Sequence, residues 1–147
     1  NPDSSALKML LGSTYLECEM WDQGLEILKP LLAFHPESAT LHVSLGQAYF
    51  ALGQYDNAVH YLEEARQHNP NDITAQRQLA KAYKKQGNDE DVESLYDALL
   101  EAKSIDSSLL EEMVCFYTEK GQWQKATEIM KKQKPKTLPK ESSLHKE

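Results

Sequence analysis

Apolar residues along this chain recur at spacings of three and four, and the pattern is interrupted at regular intervals by Gly, Pro, Asn and Asp. Apolar positions three and four apart fall on one face of an α-helix. The interruptions are themselves periodic. Asn69-Pro70-Asn71-Asp72 aligns with His35-Pro36-Glu37-Ser38 at an offset of 34 residues, and that period carries through the chain without a gap. The repeats are 5–38, 39–72, 73–106 and 107–134. Position 11 of the successive repeats is Tyr15, Tyr49, Tyr83 and Tyr117, and position 7 is Leu11, Leu45, Leu79 and Met113. These two positions are four apart, so they share a helix face.

The breaks have local causes. Ser4, Ser38, Asp72 and Asp106 precede successive repeats, and each side chain can accept a hydrogen bond from an orphan backbone N–H, so all four are expected N-caps. Position 15 is Glu19, Gly53, Gly87 and Gly121, where glycine ends a helix through a left-handed residue. Position 20 is Gly24, Ala58, Val92 and Ala126, mostly small, as close helix approach requires. Each repeat therefore reads as a helix–turn–helix hairpin. The predicted helices are 5–18, 22–34, 39–52, 55–68, 73–86, 89–102, 107–120 and 123–134. Pro30 lies inside the second of these and predicts a kink over Glu26–Pro30.

The period and its motif resemble the tetratricopeptide repeat (TPR). Repeat two carries the resemblance best, with Leu45-Gly46, Tyr49, Gly53, Tyr55, Ala58, Leu62, Ala65 and Pro70. The resemblance implies an all-α fold, a right-handed α-solenoid of about four TPR helix-turn-helix repeats, followed by a short C-terminal tail expected to be disordered. The family's frequent tryptophan at position 4 is replaced by Lys8, His42, Gln76 and Leu110. Asp89, Val92 and Leu99 depart from the pattern in repeat three, whose second helix is expected to pack less regularly. Residues 1–4 read like the last positions of a preceding repeat or a linker, so a longer array is expected.

Net charge is −7. Residues 131–147 hold six lysines against Glu141 and Glu147, a net of +4, which leaves −11 for residues 1–130. An acidic body argues against a nucleic-acid partner, which needs a basic footprint. Residues 135–147 form the basic Pro/Lys tail. No run approaches the roughly 20 apolar residues of a membrane-spanning helix, so direct membrane insertion is not expected. Cys18 and Cys115 fall several helices apart and are expected to be free thiols, which suits a reducing compartment such as the cytoplasm.

No phosphate-binding loop is present, and no histidine among His35, His42, His60, His68 and His145 lies three or four residues from another His or a Cys. The acidic run Asp89-Glu90-Asp91 suits the positive end of a helix dipole better than catalysis. No catalytic site, cofactor or metal is expected, and the chain reads as a non-enzyme.

By resemblance, the first helix of each hairpin lines a concave face. The expected partner-binding residues are Met9, Leu16, Val43, Gln47, Phe50, Arg77, Gln78, Lys81, Lys84, Lys85 and Glu112. The face thus runs from apolar in repeats one and two to basic in repeat three and acidic in repeat four. An amphipathic protein or peptide carrying acidic residues would complement it. The positions at which some TPR modules clamp the carboxylate tail of heat-shock chaperones are Met9, Ser13, Ser44, Thr74 and Gln78 here, and none matches. The expected function is a protein–protein interaction scaffold. Its rivals are a secretion or assembly chaperone that cradles a client helix, and a self-association module forming a homo-oligomer through its terminal repeats.

Overall fold

A computed structural model describes residues 2–102 and 105–133, with the side chains of residues 2, 3 and 133 left aside. Among the described residues the structure is helical throughout, with no strand. The helices are α1 (Pro2–Glu17), α2 (Trp21–Leu28), α3 (Ala39–Ala51), α4 (Tyr55–His68), α5 (Ile73–Gln86), α6 (Asp89–Glu101), α7 (Ser107–Glu119) and α8 (Trp123–Gln133). None is long and apolar enough to cross a membrane. The chain divides into two compact units, one running to Leu95 and one starting at Tyr96.

Three of the four expected caps form. The Ser38 hydroxyl accepts from the Leu41 N–H at 3.2 Å, and the Asp72 and Asp106 carboxylates accept from the Ala75 and Leu109 N–H groups at 3.1 and 2.8 Å. Ser4 does not cap. The first helix begins at Pro2, which places Ser4 inside it. Proline suits the first helical position, because its missing N–H would be unsatisfied there anyway and its φ is already helical. At the other end of the first hairpin, Pro30 does more than kink the helix. The α-helix stops at Leu28, and Lys29–Ala33 continue as a 3-10 turn. Proline cannot donate to the carbonyl four residues back, so the tighter i→i+3 pattern replaces the α pattern around it.

The first unit is built from the hairpins α1–α2 and α3–α4, with α5 packed on α4 and on α3. Leu16, Leu28, Leu31, Leu41, Leu45 and Ala48 form a buried cluster, against which Met9, Trp21, Leu25, Leu32 and Tyr61 pack. The hairpin α3–α4 closes tightly because Gly46 faces Leu62. A Cβ at Gly46 would lie 2.5 Å from the Leu62 Cγ, closer than real side chains come. Tyr49 and Tyr61 stack face to face across the same hairpin, 5.4 Å apart and nearly parallel. Between α4 and α5 the Tyr83 hydroxyl donates to the Glu63 carboxylate. Burial first, then that hydrogen bond, raise the phenol above its ordinary range.

The second unit centres on Tyr96, Phe116 and Tyr117. Their rings meet edge to face at 5.6 Å (Tyr96–Phe116) and 5.2 Å (Phe116–Tyr117). Leu99, Leu109, Met113, Ala126 and Ile129 are buried around them. Repeat three departs from the family pattern, yet α6 is a continuous helix, and Val92, Leu95, Tyr96 and Leu99 on it are buried. Val92 and Leu99, two of the departures, keep apolar side chains at buried positions of a 3.6-residue period. Cys18 and Cys115 are both free thiols at exposed positions. The tail, 135–147, and His145 lie outside the described residues.

Candidate functional site

The helices α1, α3 and α5 come from the first halves of three successive hairpins, and each packs against the next. One face of each is therefore left uncovered on the same side. A cleft of about 500 Å3 opens there, lined by Ser13, Leu16, Glu17, Trp21, Ser44, Gln47, Phe50, Ala51 and Gln78. Its chemistry is mixed. Leu16, Trp21, Phe50 and Ala51 give an apolar floor and flank. Ser13, Ser44, Gln47 and Gln78 supply neutral donors and acceptors, and Glu17 adds a carboxylate. Phe50 is half-buried, with its ring held edge-on to Tyr55 of α4 at 5.3 Å. That contact fixes the ring that faces the cleft.

The expected site residues separate into groups. Leu16, Gln47, Phe50 and Gln78 line the cleft together. Met9 does not. It is partly buried against the core cluster of the first unit. Leu16 is also part of that core, only 9% exposed, so it forms the floor of the cleft and offers little surface to a ligand. Val43 is half-buried and does not line the cleft. Arg77, Lys81, Lys84 and Lys85 continue along α5, with Lys81 and Lys85 exposed and Arg77 and Lys84 half-buried. Glu112 is half-buried on α7, in the second unit. Trp21 was not expected at the site. It opens α2 after a reversal of three residues, Cys18–Met20, and lines the cleft with Leu16 and Glu17 of α1 while packing against the core cluster.

A second constellation went unread in the sequence. His42, Glu64 and His68 place one ligand-type atom each within 4.8 Å of one another, the one such group among the described residues.

Helical hairpins on a fixed period, with a cleft on the first-helix face, define the class of α-helical repeat proteins. Two tetratricopeptide repeat models match the chain, over residues 9–73 and 49–109, and together span well over half of it. The chain belongs to the tetratricopeptide repeat family, generally a non-catalytic protein-interaction fold. No curated protein matches it. Among solved structures it is similar to MamA. One MamA structure shares 23% identity at a TM-score of 0.81, with 100% of this chain and 84% of that chain covered. Another shares 23% at 0.79, covering 89% and 72%. MamA from Desulfovibrio magneticus RS-1 shares 18% at 0.65, covering 69% and 57%. At these identities the likeness is one of fold.

Proposed function

We propose that this chain is an interaction scaffold that holds a peptide or helix of a partner protein on the face formed by α1, α3 and α5. The observation that carries the reading is the cleft, in which Trp21 and Phe50 offer apolar surface beside neutral hydrogen-bonding groups. Aromatic side chains in a concave site bury large area on binding and act as anchors. Beyond Gln78 the same helix presents the exposed Lys81 and Lys85. The partner segment is therefore one with an apolar anchor for the cleft and acidic residues placed to reach α5. Opposite charge there steers encounter and fixes direction more than it adds affinity.

Peptide selection from a random library against the whole chain tests this. Selected peptides should carry an apolar or aromatic residue with acidic residues at a fixed offset. Lys81→Glu/Lys85→Glu should weaken them, and Phe50→Gln should weaken them with the helical circular-dichroism signal retained. Peptides that bind both variants as tightly as the parent chain would overturn the concave-face reading.

A second reading, self-association through terminal repeats, draws on the first helix. Leu7 and Leu10 are each 66% exposed and Leu11 46%, at helical spacing on α1. Sedimentation velocity across a range of protein concentrations decides it. A monomer at every concentration would exclude it, and a concentration-dependent species lost in Leu7→Glu/Leu10→Glu would support it.

A further inference from the structure

Position 4 of the second repeat is His42, on α3, and it is only 6% exposed. Its Nδ1 lies 2.8 Å from the Ser38 carbonyl oxygen. A carbonyl only accepts, so Nδ1 carries the proton and donates, and Nε2 keeps its lone pair. Ser38 is also the N-cap of α3. The residue that starts the helix thus sets the tautomer and orientation of a ring one turn further on. This is the arrangement that metal-ligating histidines adopt, with the far nitrogen tied to a carbonyl.

Across the hairpin, α4 brings two more donors to the same place. Glu64 and His68 are one turn apart, with the Glu64 Oε2 3.9 Å from the His68 Nε2. The His42 and His68 rings stand 5.3 Å apart between centroids, tilted by 36°. One ligand-type atom from each of the three lies within 4.8 Å of the others. Bonds of about 2.0–2.1 Å to a tetrahedral ion would put donors about 3.3 Å apart. Closing the gap takes side-chain adjustment of about an ångström or two. Glu64 is half-buried and His68 exposed at the surface of α4, which leaves them room to make it. Two imidazole nitrogens and one carboxylate oxygen suit zinc and its first-row neighbours and leave a fourth position open. Magnesium and calcium prefer all-oxygen shells and are a poor match.

We propose that His42, Glu64 and His68 form a binding site for a divalent transition-metal ion of the zinc type. The ion joins α3 to α4 within the second repeat, bridging the two helices at the hairpin's open end.

Calorimetric titration of Zn2+ into the metal-stripped full chain tests it, with Co2+ absorption as a report on the ligand set. The expected result is one saturable site per chain and a tetrahedral Co2+ spectrum. His68→Gln and Glu64→Gln should each weaken binding by about tenfold or more and remove the Zn2+-induced rise in melting temperature. Both residues lie toward the surface, so the variants should keep the parent's melting temperature without metal. His35→Gln, at an exposed position outside both helices, should leave binding unchanged. Zn2+ binding that is non-saturable, or that persists at full strength in the His68→Gln/Glu64→Gln double variant, would overturn the site.

Discussion

Glu19 adopts φ of +60°, alone among the described non-glycine residues in doing so, at the repeat position where the other three hairpins have glycine with φ of 74–77°. The turn needs a left-handed residue whatever stands there. Its backbone groups are committed, since the Glu19 N–H donates to the Leu16 carbonyl and the Met20 N–H to the Tyr15 carbonyl. A side chain with a Cβ pays about 1–2 kcal/mol in that conformation. Glycine would recover this and give back up to about 1 kcal/mol through a more mobile unfolded chain. Glu19→Gly should therefore stabilise the protein by about 0.5–1 kcal/mol in urea denaturation. Gly46 gives the opposite case. A methyl there meets the Leu62 side chain at 2.5 Å inside a hairpin with no slack. Gly46→Ala should cost about 1–3 kcal/mol by overpacking, despite alanine's better helix propensity. An equal or higher melting temperature for that variant would show that the hairpin can open to accept the methyl.

At the scale of elements, Lys125 links α8 to both α6 and α7. Its ammonium lies 3.0 Å from the Asp97 carboxylate of α6 and 4.8 Å from the centre of the Tyr117 ring of α7. Burial alone would lower the Lys125 pKa. The hydrogen bonds and charges of Asp97 and Tyr117 more than offset it, and the net shift is upward. A raised pKa in the folded state means stability that is complete below the ordinary lysine range and is lost as pH rises through the folded value. Lys125 is a third exposed and Asp97 more so, so solvent screens the pair and its worth is no more than about 1 kcal/mol. Lys125→Met should lower stability by up to that amount at neutral pH. The gap between variant and parent should narrow above about pH 10.5. Parallel denaturation curves at pH 7 and pH 11 check it. A gap that widens at high pH would mean the sign is wrong.

The elements also show what the sequence could reveal and where it stopped. Helix ends were legible wherever a single residue decides them, as at Ser38, Asp72, Asp106 and the glycines, because caps and left-handed turns are local chemistry. Pro30 marked a break, but its form, an α-helix passing into a 3-10 turn, depends on how Leu31 packs in the core. The cleft was half legible. Repeat positions single out Gln47, Phe50 and Gln78, which line the cleft together. Met9 and Val43 come from the same reading but do not line the cleft, because the rotation of a helix against its neighbours is set by packing, which a period alone does not give. The His42–Glu64–His68 group was illegible. Its members come from two helices, and only folding of the hairpin brings them together.

For the whole molecule, a repeat array draws its stability from contacts with neighbours, so a helix with fewer neighbours is held less firmly. The helix α3 packs on α1, α2, α4 and α5, whereas α1 packs on α2 and α3. The same repeat position shows the consequence. Leu45 is 0% exposed, and its counterpart Leu11 is 46% exposed. Truncating Leu45 leaves a cavity inside a filled cluster, and Leu45→Ala should cost about 2–5 kcal/mol. Leu10 is 66% exposed on α1, and Leu10→Ala should fall within about 0.5 kcal/mol of the parent. Native-state amide exchange should follow the same order. The amides of α3 and α4 should exchange slowest in the first unit, by openings close to global unfolding. Those of the first two turns of α1 should exchange fastest, by local fraying. If α1 proved as protected as α3 in a chain shown to be monomeric, neighbour contacts would not be what sets stability here, and both substitution predictions would lose their basis. Protection of α1 that rises with protein concentration would instead mean that a second copy covers Leu7 and Leu10.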